Sequence, residues 1–292
     1  MYKFLNWIDE NKINWYSLSG NPEAIHLLEQ YSNKIYWNAL SKNQAAIHLL
    51  EKNPNKINWD RLSENPAAIH LLEQYPDKIN WYWLSQNPAA IHLLEQNLDK
   101  INWCSLSKNP AAMHMLEKNP DKINWSYLSM NPAAIHLLEK NPDKIDCYRL
   151  SQNPADFYIH LLEKNPDKIY WSYLSMNPAA IHLLEKNPDK IKWDNLSRNP
   201  AAIHLLENPL YTDKIDWFFL SENPAAIHLL EQYPDKINWY MISKNPAIFT
   251  YDYNFIKTSK YCLHEELIQT MFHPKNIPKF DGWGFELDMS DE

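Results

Sequence analysis

Apolar positions in this chain recur with a period of 22 residues, in two short clusters per period. In the unit at residues 65–86 the first cluster is Ala68, Ile69, Leu71 and Leu72. Ala68, Ile69 and Leu72 share one helical face at i, i+1 and i+4, and Leu71 widens it. Ala67 to Gln74 are good helix formers. Asn65 stands where a helix cap belongs. Pro66 takes the first helical position, where its missing N–H costs nothing. Tyr75-Pro76-Asp77 breaks the run. The second cluster predicts a helix over Trp81 to Ser85, capped by Asn80. Ile79 before the cap and Leu84 four residues after it are placed as a hydrophobic staple. Asn87-Pro88 then opens the next unit.

The tryptophan of the second cluster falls at Trp15, Trp37, Trp59, Trp81, Trp103, Trp125, Trp171, Trp193, Trp217 and Trp239, with Cys147 in the seventh copy. Two steps are 24 residues long, after insertions around Asp156-Phe157-Tyr158 and Leu210-Tyr211-Thr212. Both fall near a helix end or loop, where added residues cost least. Ser32, Gln44 and Leu98 replace repeat prolines, so proline is favoured there without being required. The chain has no valine, little threonine and only three glycines. β-structure and glycine-rich phosphate loops are correspondingly disfavoured. A leucine-rich repeat fails at the middle of its motif, because Leu-Ser is followed by a variable residue and Asn-Pro.

One unit cannot fold alone. About six large apolar side chains contribute roughly 1.5–3 kcal/mol each, against about 1–2 kcal/mol per ordered residue. Stacking on neighbours must supply the difference. The expected fold is therefore all-α: an α-solenoid of about eleven two-helix repeats over residues 14–246. Residues 1–13 read as a partial repeat and cap, with Leu5-Asn6-Trp7 echoing Ile-Asn-Trp. Residues 247–292 read as a C-terminal cap with a helix at Leu263 to Phe272 and an acidic tail. At ordinary helix spacing the array would be a rod or superhelix on the order of 100 Å long.

Charge and cysteine content narrow the functional classes. With 28 basic and 36 acidic residues the net charge is −8, which disfavours nucleic acid and anionic membranes as partners. No stretch has the length and apolarity of a bilayer span, and Asp9 and Glu10 interrupt any secretory start. Three scattered cysteines fit a reducing, intracellular compartment.

Four columns invite chemistry. Ten histidines, from His26 to His228, occupy one repeat position. Neighbouring copies lie too far apart to share a zinc ion, and no second ligand stands at i+3 or i+4. They read as structural, hydrogen-bonded between units, and as buried and neutral, with stability falling when acid charges them. The glutamates after Leu-Leu and the lysines before Ile read as alternating surface ion pairs. The tryptophans read as core, because recognition positions vary while these repeat.

The variable positions lie one, two and five residues after each tryptophan, the first and third on one ridge. They supply the candidate binding residues Tyr16, Arg61, Tyr82, Trp83, Tyr127, Arg149, Tyr173, Phe218, Phe219 and Tyr240. Aromatic residues and arginine at such positions either anchor an interface or pack on the next unit. No convergent cluster of catalytic groups is evident, so no enzyme, cofactor or metal is expected. The expected role is a scaffold for a protein partner, with a helical single-stranded nucleic-acid reader as the alternative.

Asn-Pro-x-Ala-Ile-x-Leu-Leu-Glu and Asp-Lys-Ile-x-Trp-x-x-Leu-Ser units recur along the chain. They are followed by Glu265-Glu266-Leu267-Ile268 and Phe272-His273-Pro274-Lys275-Asn276-Ile277-Pro278-Lys279. In this the chain resembles repeat proteins of large DNA viruses that infect amoebae. The resemblance implies an intracellular viral protein made in infected cells, in the host cytoplasm, and carries over no catalytic residue. The segment Leu263 to Phe272 is also similar to the opening of an F-box. It lacks that motif's proline and continuation, and reads as a structural cap.

Overall fold

The computed structural model describes residues 2–252. They form an all-α solenoid of eleven repeats, with one short strand at each end of the described chain. The strands are β1 (Tyr2–Phe4) and β2 (Phe249–Tyr251), and they pair with each other as a two-stranded sheet. Phe4–Phe249 forms one compact unit and contains all the repeats. The helix expected at Leu263 to Phe272, the acidic tail and Cys262 lie outside the described residues.

Most repeats are built from four short pieces. In the unit that opens at Asn65 these are a 3-10 turn (Pro66–Ala68), an α-helix (Ile69–Gln74), a second 3-10 turn (Pro76–Lys78) and a second α-helix (Trp81–Leu84). Asn65 is the cap, and its side chain accepts the Ala67 N–H at 3.0 Å. Ala68 has φ −100° and ψ 10°, so the helix opens as a 3-10 turn and becomes α only at Ile69. Asn80 caps the second helix, its side chain accepting the Tyr82 N–H at 3.1 Å. The proline break is itself ordered, with the Lys78 N–H donating to the Tyr75 carbonyl at 3.0 Å.

These α-helices are four to six residues long, far below the length at which a helix persists alone. Bonds between repeats hold them. Each Leu-Ser serine is fully buried, as Ser41, Ser63 and Ser85 show. The Ser41 hydroxyl donates to the Trp37 carbonyl at 2.7 Å and accepts the Asn58 N–H of the next repeat at 2.9 Å. Each cap asparagine reaches the other way. Asn109 Nδ2 donates to the Ser85 and Asn87 carbonyls at 3.1 and 3.0 Å, while its Oδ1 accepts the Ala111 N–H. A fully paired buried polar column fixes spacing and register between units, because any slip leaves donors and acceptors unmet. Leu84, Ala90 and Leu94, all fully buried, show the apolar columns that fill the space beside it.

The same bonds join the last repeat to the first. Asn14 N–H donates to Ser243 Oγ at 2.9 Å, the bond that Asn58 makes to Ser41 within the array. Asn21 Nδ2 donates to the Ser243 and Asn245 carbonyls at 3.3 and 3.1 Å. Lys12 Nζ lies 5.2 Å above the Trp239 ring, as Lys34 lies above Trp15 at 4.5 Å. The Leu5 N–H donates to the Ile248 carbonyl, and the Phe4 and Phe249 rings stack at 5.0 Å. The repeat array Phe4–Phe249 therefore closes on itself, and its two ends face each other where an open rod would leave them free. Residues 5–9 form no helix, so Leu5-Asn6-Trp7 is not a repeat helix; the repeat geometry starts at the 3-10 turn Glu10–Lys12.

The two insertions preserve the framework. Tyr158 takes the place that alanine holds before isoleucine elsewhere, is fully buried, and donates its hydroxyl to the Asn131 carbonyl at 2.7 Å. The second insertion lengthens a 3-10 turn to Pro209–Lys214. Its Tyr211 ring covers Trp193 at 4.6 Å, as Tyr75 covers Trp59 at 5.0 Å.

Candidate functional site

Three of the repeated columns are occupied by structural work, two of them differently from expectation. The histidines bond between units, but on the exposed surface. His70 Nε2 meets Glu51 Oε1 of the preceding repeat at 2.7 Å, with both side chains nearly half exposed. The pattern recurs at His92–Glu73 and His114–Glu95. The expectation of buried histidines is thus corrected: the second residue of the first α-helix in these repeats faces outward, and a carboxylate from the unit before receives the ring. The His26 ring packs edge to face on Phe249, with centroids 5.9 Å apart.

The lysines do not join the glutamates in an ion-pair stripe. Most lie over the tryptophan of the preceding repeat, as Lys122 over Trp103 at 4.5 Å and Lys144 over Trp125 at 4.4 Å, while Lys78 and Lys190 pair with the adjacent Asp77 and Asp189. The tryptophans are half-buried against the core, most with a lysine over the other face, and Trp59 and Trp217 with a tyrosine there. Rings so covered are not offered to a ligand.

The variable columns remain. They turn to the inner side of the closed array, since single hollows touch four successive repeats through them. One hollow is lined by Met176, Arg198, Glu222 and Lys244, the fifth residues after the tryptophan position in four consecutive units. The other, of about 540 Å³, is lined by Tyr16, Ser17, Gly20, Asn38, Ala39, Lys42, Arg61, Tyr240 and Lys244. It unites repeats eleven, one, two and three, so Tyr16 and Tyr240 share a wall although they stand at opposite ends of the sequence. Only the concave side of a curved array brings so many units around one space.

The candidate residues fall into four groups on this face. Tyr16, Arg61 and Tyr240 line the hollow at the seam. Tyr82 and Trp83 pack edge to face at 5.0 Å, Tyr82 exposed and Trp83 half-buried, with the Arg61 guanidinium 6.0 Å from the Trp83 ring. Arg149 lies over Tyr127 at 5.2 Å and over Tyr148 at 5.5 Å, and the Tyr148 and Tyr173 hydroxyls bond at 2.7 Å. That hydrogen bond, and then burial, push the Tyr148 phenol above its ordinary pKa. Phe218 is exposed beside half-buried Phe219, whose ring carries the Arg198 guanidinium at 3.9 Å. Sequence reasoning missed Lys42, Lys244, Tyr148 and Arg198. Each stands in a variable column, but chain closure and neighbouring rings, not local pattern, give it a role.

Among the described residues no group of three or more histidine, cysteine or acidic side chains is placed to hold a metal. Nor is any helix among them long and apolar enough to cross a membrane. Cys104 is exposed and Cys147 half-buried, the latter with its thiol pKa raised chiefly by burial. No known protein family, curated protein or solved structure matches the chain.

Proposed function

We propose that the chain is a non-catalytic repeat scaffold that holds a protein partner on the inner face of its closed array. One observation carries the reading. The repeated polar and aromatic columns are spent on bonds between units, while the positions that differ from unit to unit gather on one continuous face. That face presents tyrosine, phenylalanine, tryptophan and arginine, the residues that dominate interface energetics. The resemblance in repeat pattern to proteins of amoeba-infecting viruses favours action inside infected cells. The net charge of −8 favours a protein partner over a single-stranded nucleic acid.

The test compares variants of the full chain as bait in infected-cell extract. Tyr82→Ser with Phe218→Ser alters the inner face at two exposed positions, and Leu98→Ser alters an exposed turn residue. Exposed substitutions shift stability by about 0.5 kcal/mol or less, so all baits should melt alike. Loss of an aromatic anchor costs about 2 kcal/mol or more, so a protein held by the wild type and by Leu98→Ser should be lost from the double variant. A partner retained by the inner variant and lost from the turn variant would overturn the assignment. So would saturable capture of single-stranded RNA in place of protein.

A further inference from the structure

The hollow at the seam has features that a scaffold surface does not need. It exists because three small residues stand together in columns that elsewhere carry mostly large ones, Ser105 being the other small copy. Two residues after tryptophan, Ser17 and Ala39 replace the arginine, aromatic and methionine side chains of Arg61, Trp83, Tyr127 and Met241. Five residues after tryptophan, Gly20 is the only copy without a side chain; the others are lysine, arginine, glutamate, glutamine or methionine. The backbone does not ask for glycine there. Gly20 has φ −85° and ψ −9°, against −82° and −16° for Glu64 and −84° and −15° for Lys108. A Cβ on Gly20 would meet nothing nearer than the Ser17 carbonyl oxygen at 3.5 Å. What glycine provides is open volume.

The walls of that volume are cationic, in a chain whose net charge is −8. Lys42, Arg61 and Lys244 line it, and no carboxylate does. Lys42 is ion-paired with Glu64, its Nζ 3.1 Å from Oε1, which leaves Arg61 and Lys244 as the cations of the hollow without such a partner on its walls. Lys244 lies 4.7 Å above the Tyr240 ring, within the hollow. Asp60, beside Arg61, accepts a bond from Asn80 Nδ2 at 2.7 Å. At the base of the hollow Ser17 is 5 % exposed, and its hydroxyl has no hydrogen-bond partner. Buried hydroxyls are seldom left so, and a ligand oxygen would satisfy it. Tyr16 and Tyr240, each more than two-fifths exposed, offer aromatic surface on either side of the seam.

We propose that this hollow binds a nucleotide. Its volume of about 540 Å³ falls within the range of small-ligand pockets. The phosphates would lie among Lys42, Arg61 and Lys244, where charge-assisted bonds are strongest, with the Ser17 hydroxyl donating to a phosphate oxygen. The base would lie against a tyrosine ring. A simple anion would leave the rings and most of the volume unused. The two tyrosines come from opposite ends of the array, as do Lys244 on one side and Lys42 and Arg61 on the other, so the bound nucleotide would also tie the seam together. The proposal stands apart from the protein-partner reading, since it concerns the purified chain alone.

Calorimetric titration of the full chain with ATP tests it. Saturable binding of one ATP per chain is expected, weakening as salt screens the charges. Gly20→Gln should abolish it or weaken it by about tenfold or more while leaving the melting temperature unchanged, because Gln86 and Gln152 occupy the same position in other repeats. Arg61→Met, at an exposed position, should weaken it by about tenfold through loss of charge. Adenosine and tripolyphosphate should each bind about tenfold or more weaker than ATP. Absence of saturable ATP binding by the wild type would overturn the proposal. So would undiminished binding by either folded variant, or tripolyphosphate binding as tightly as ATP.

Discussion

A cap asparagine such as Asn109 satisfies three backbone groups with one side chain: two carbonyls of the preceding repeat and one N–H of its own. The two carbonyls are shut away from water, so truncation leaves them unmet, and each unmet group costs about 1–3 kcal/mol. Asn109→Ala should therefore lower unfolding stability by about 3 kcal/mol or more. His70→Ala, which removes an exposed pair with Glu51, should cost less than about 1 kcal/mol. Urea denaturation of the two variants side by side checks this, and equal losses would deny the asparagine column its role. The cap half of that role was legible in the sequence, because Asn-Pro before a helix has a local signature. The bond to the previous unit was not, since nothing local says which carbonyl an amide will meet. The histidines show the same limit. Their spacing gave the bond between units but not the side of the helix on which it forms.

At the scale of the element, the repeat tolerates two extra residues by turning one of them into core. Tyr158 is fully buried, and burial pushes its phenol up to about 12 from an ordinary 10.0. A proton held more tightly in the folded state contributes stability that is complete below the unfolded pKa and is lost as pH climbs through the folded one. The window here is pH 10 to about 12. Tyr158→Phe should show a shallower alkaline decline than the wild type across that window, in melting temperatures measured at stepped pH. Parallel curves would mean that the phenol titrates alike in both states. Helix positions, the Asn-Pro caps and both insertion sites were readable from the 22-residue period, because each depends on local residue choice. The 3-10 character of the first turn was not, since it follows from the backbone angles at Ala68 and its counterparts. Sequence gave no sign either that Tyr158 would turn inward, as aromatic residues near an insertion serve equally well outside.

For the whole repeat array, closure is the feature that organises the candidate site, and it left the faintest trace in the sequence. Eleven units meet end to end only if each turns by about 33° relative to the last, and such small rotations arise from packing throughout the unit. The sequence did distinguish the ends, where the Ile-His-Leu-Leu slot becomes Phe249-Thr250-Tyr251-Asp252. That this break marks a seam became visible only when Asn14 and Asn21 were seen bonded to Ser243 and Asn245. Closure also explains why Tyr16, Arg61 and Tyr240 belong to one hollow. Pulsed dipolar spectroscopy on paired nitroxide labels tests it directly, with the native cysteines replaced by serine. Labels at Asn33 and Asp235 lie two repeats apart across the seam, and labels at Asn55 and Asp99 lie two repeats apart within the array; all four positions are exposed turn residues. Closure predicts closely similar distance distributions for the two pairs. A separation across the seam several times that of the internal pair would contradict it.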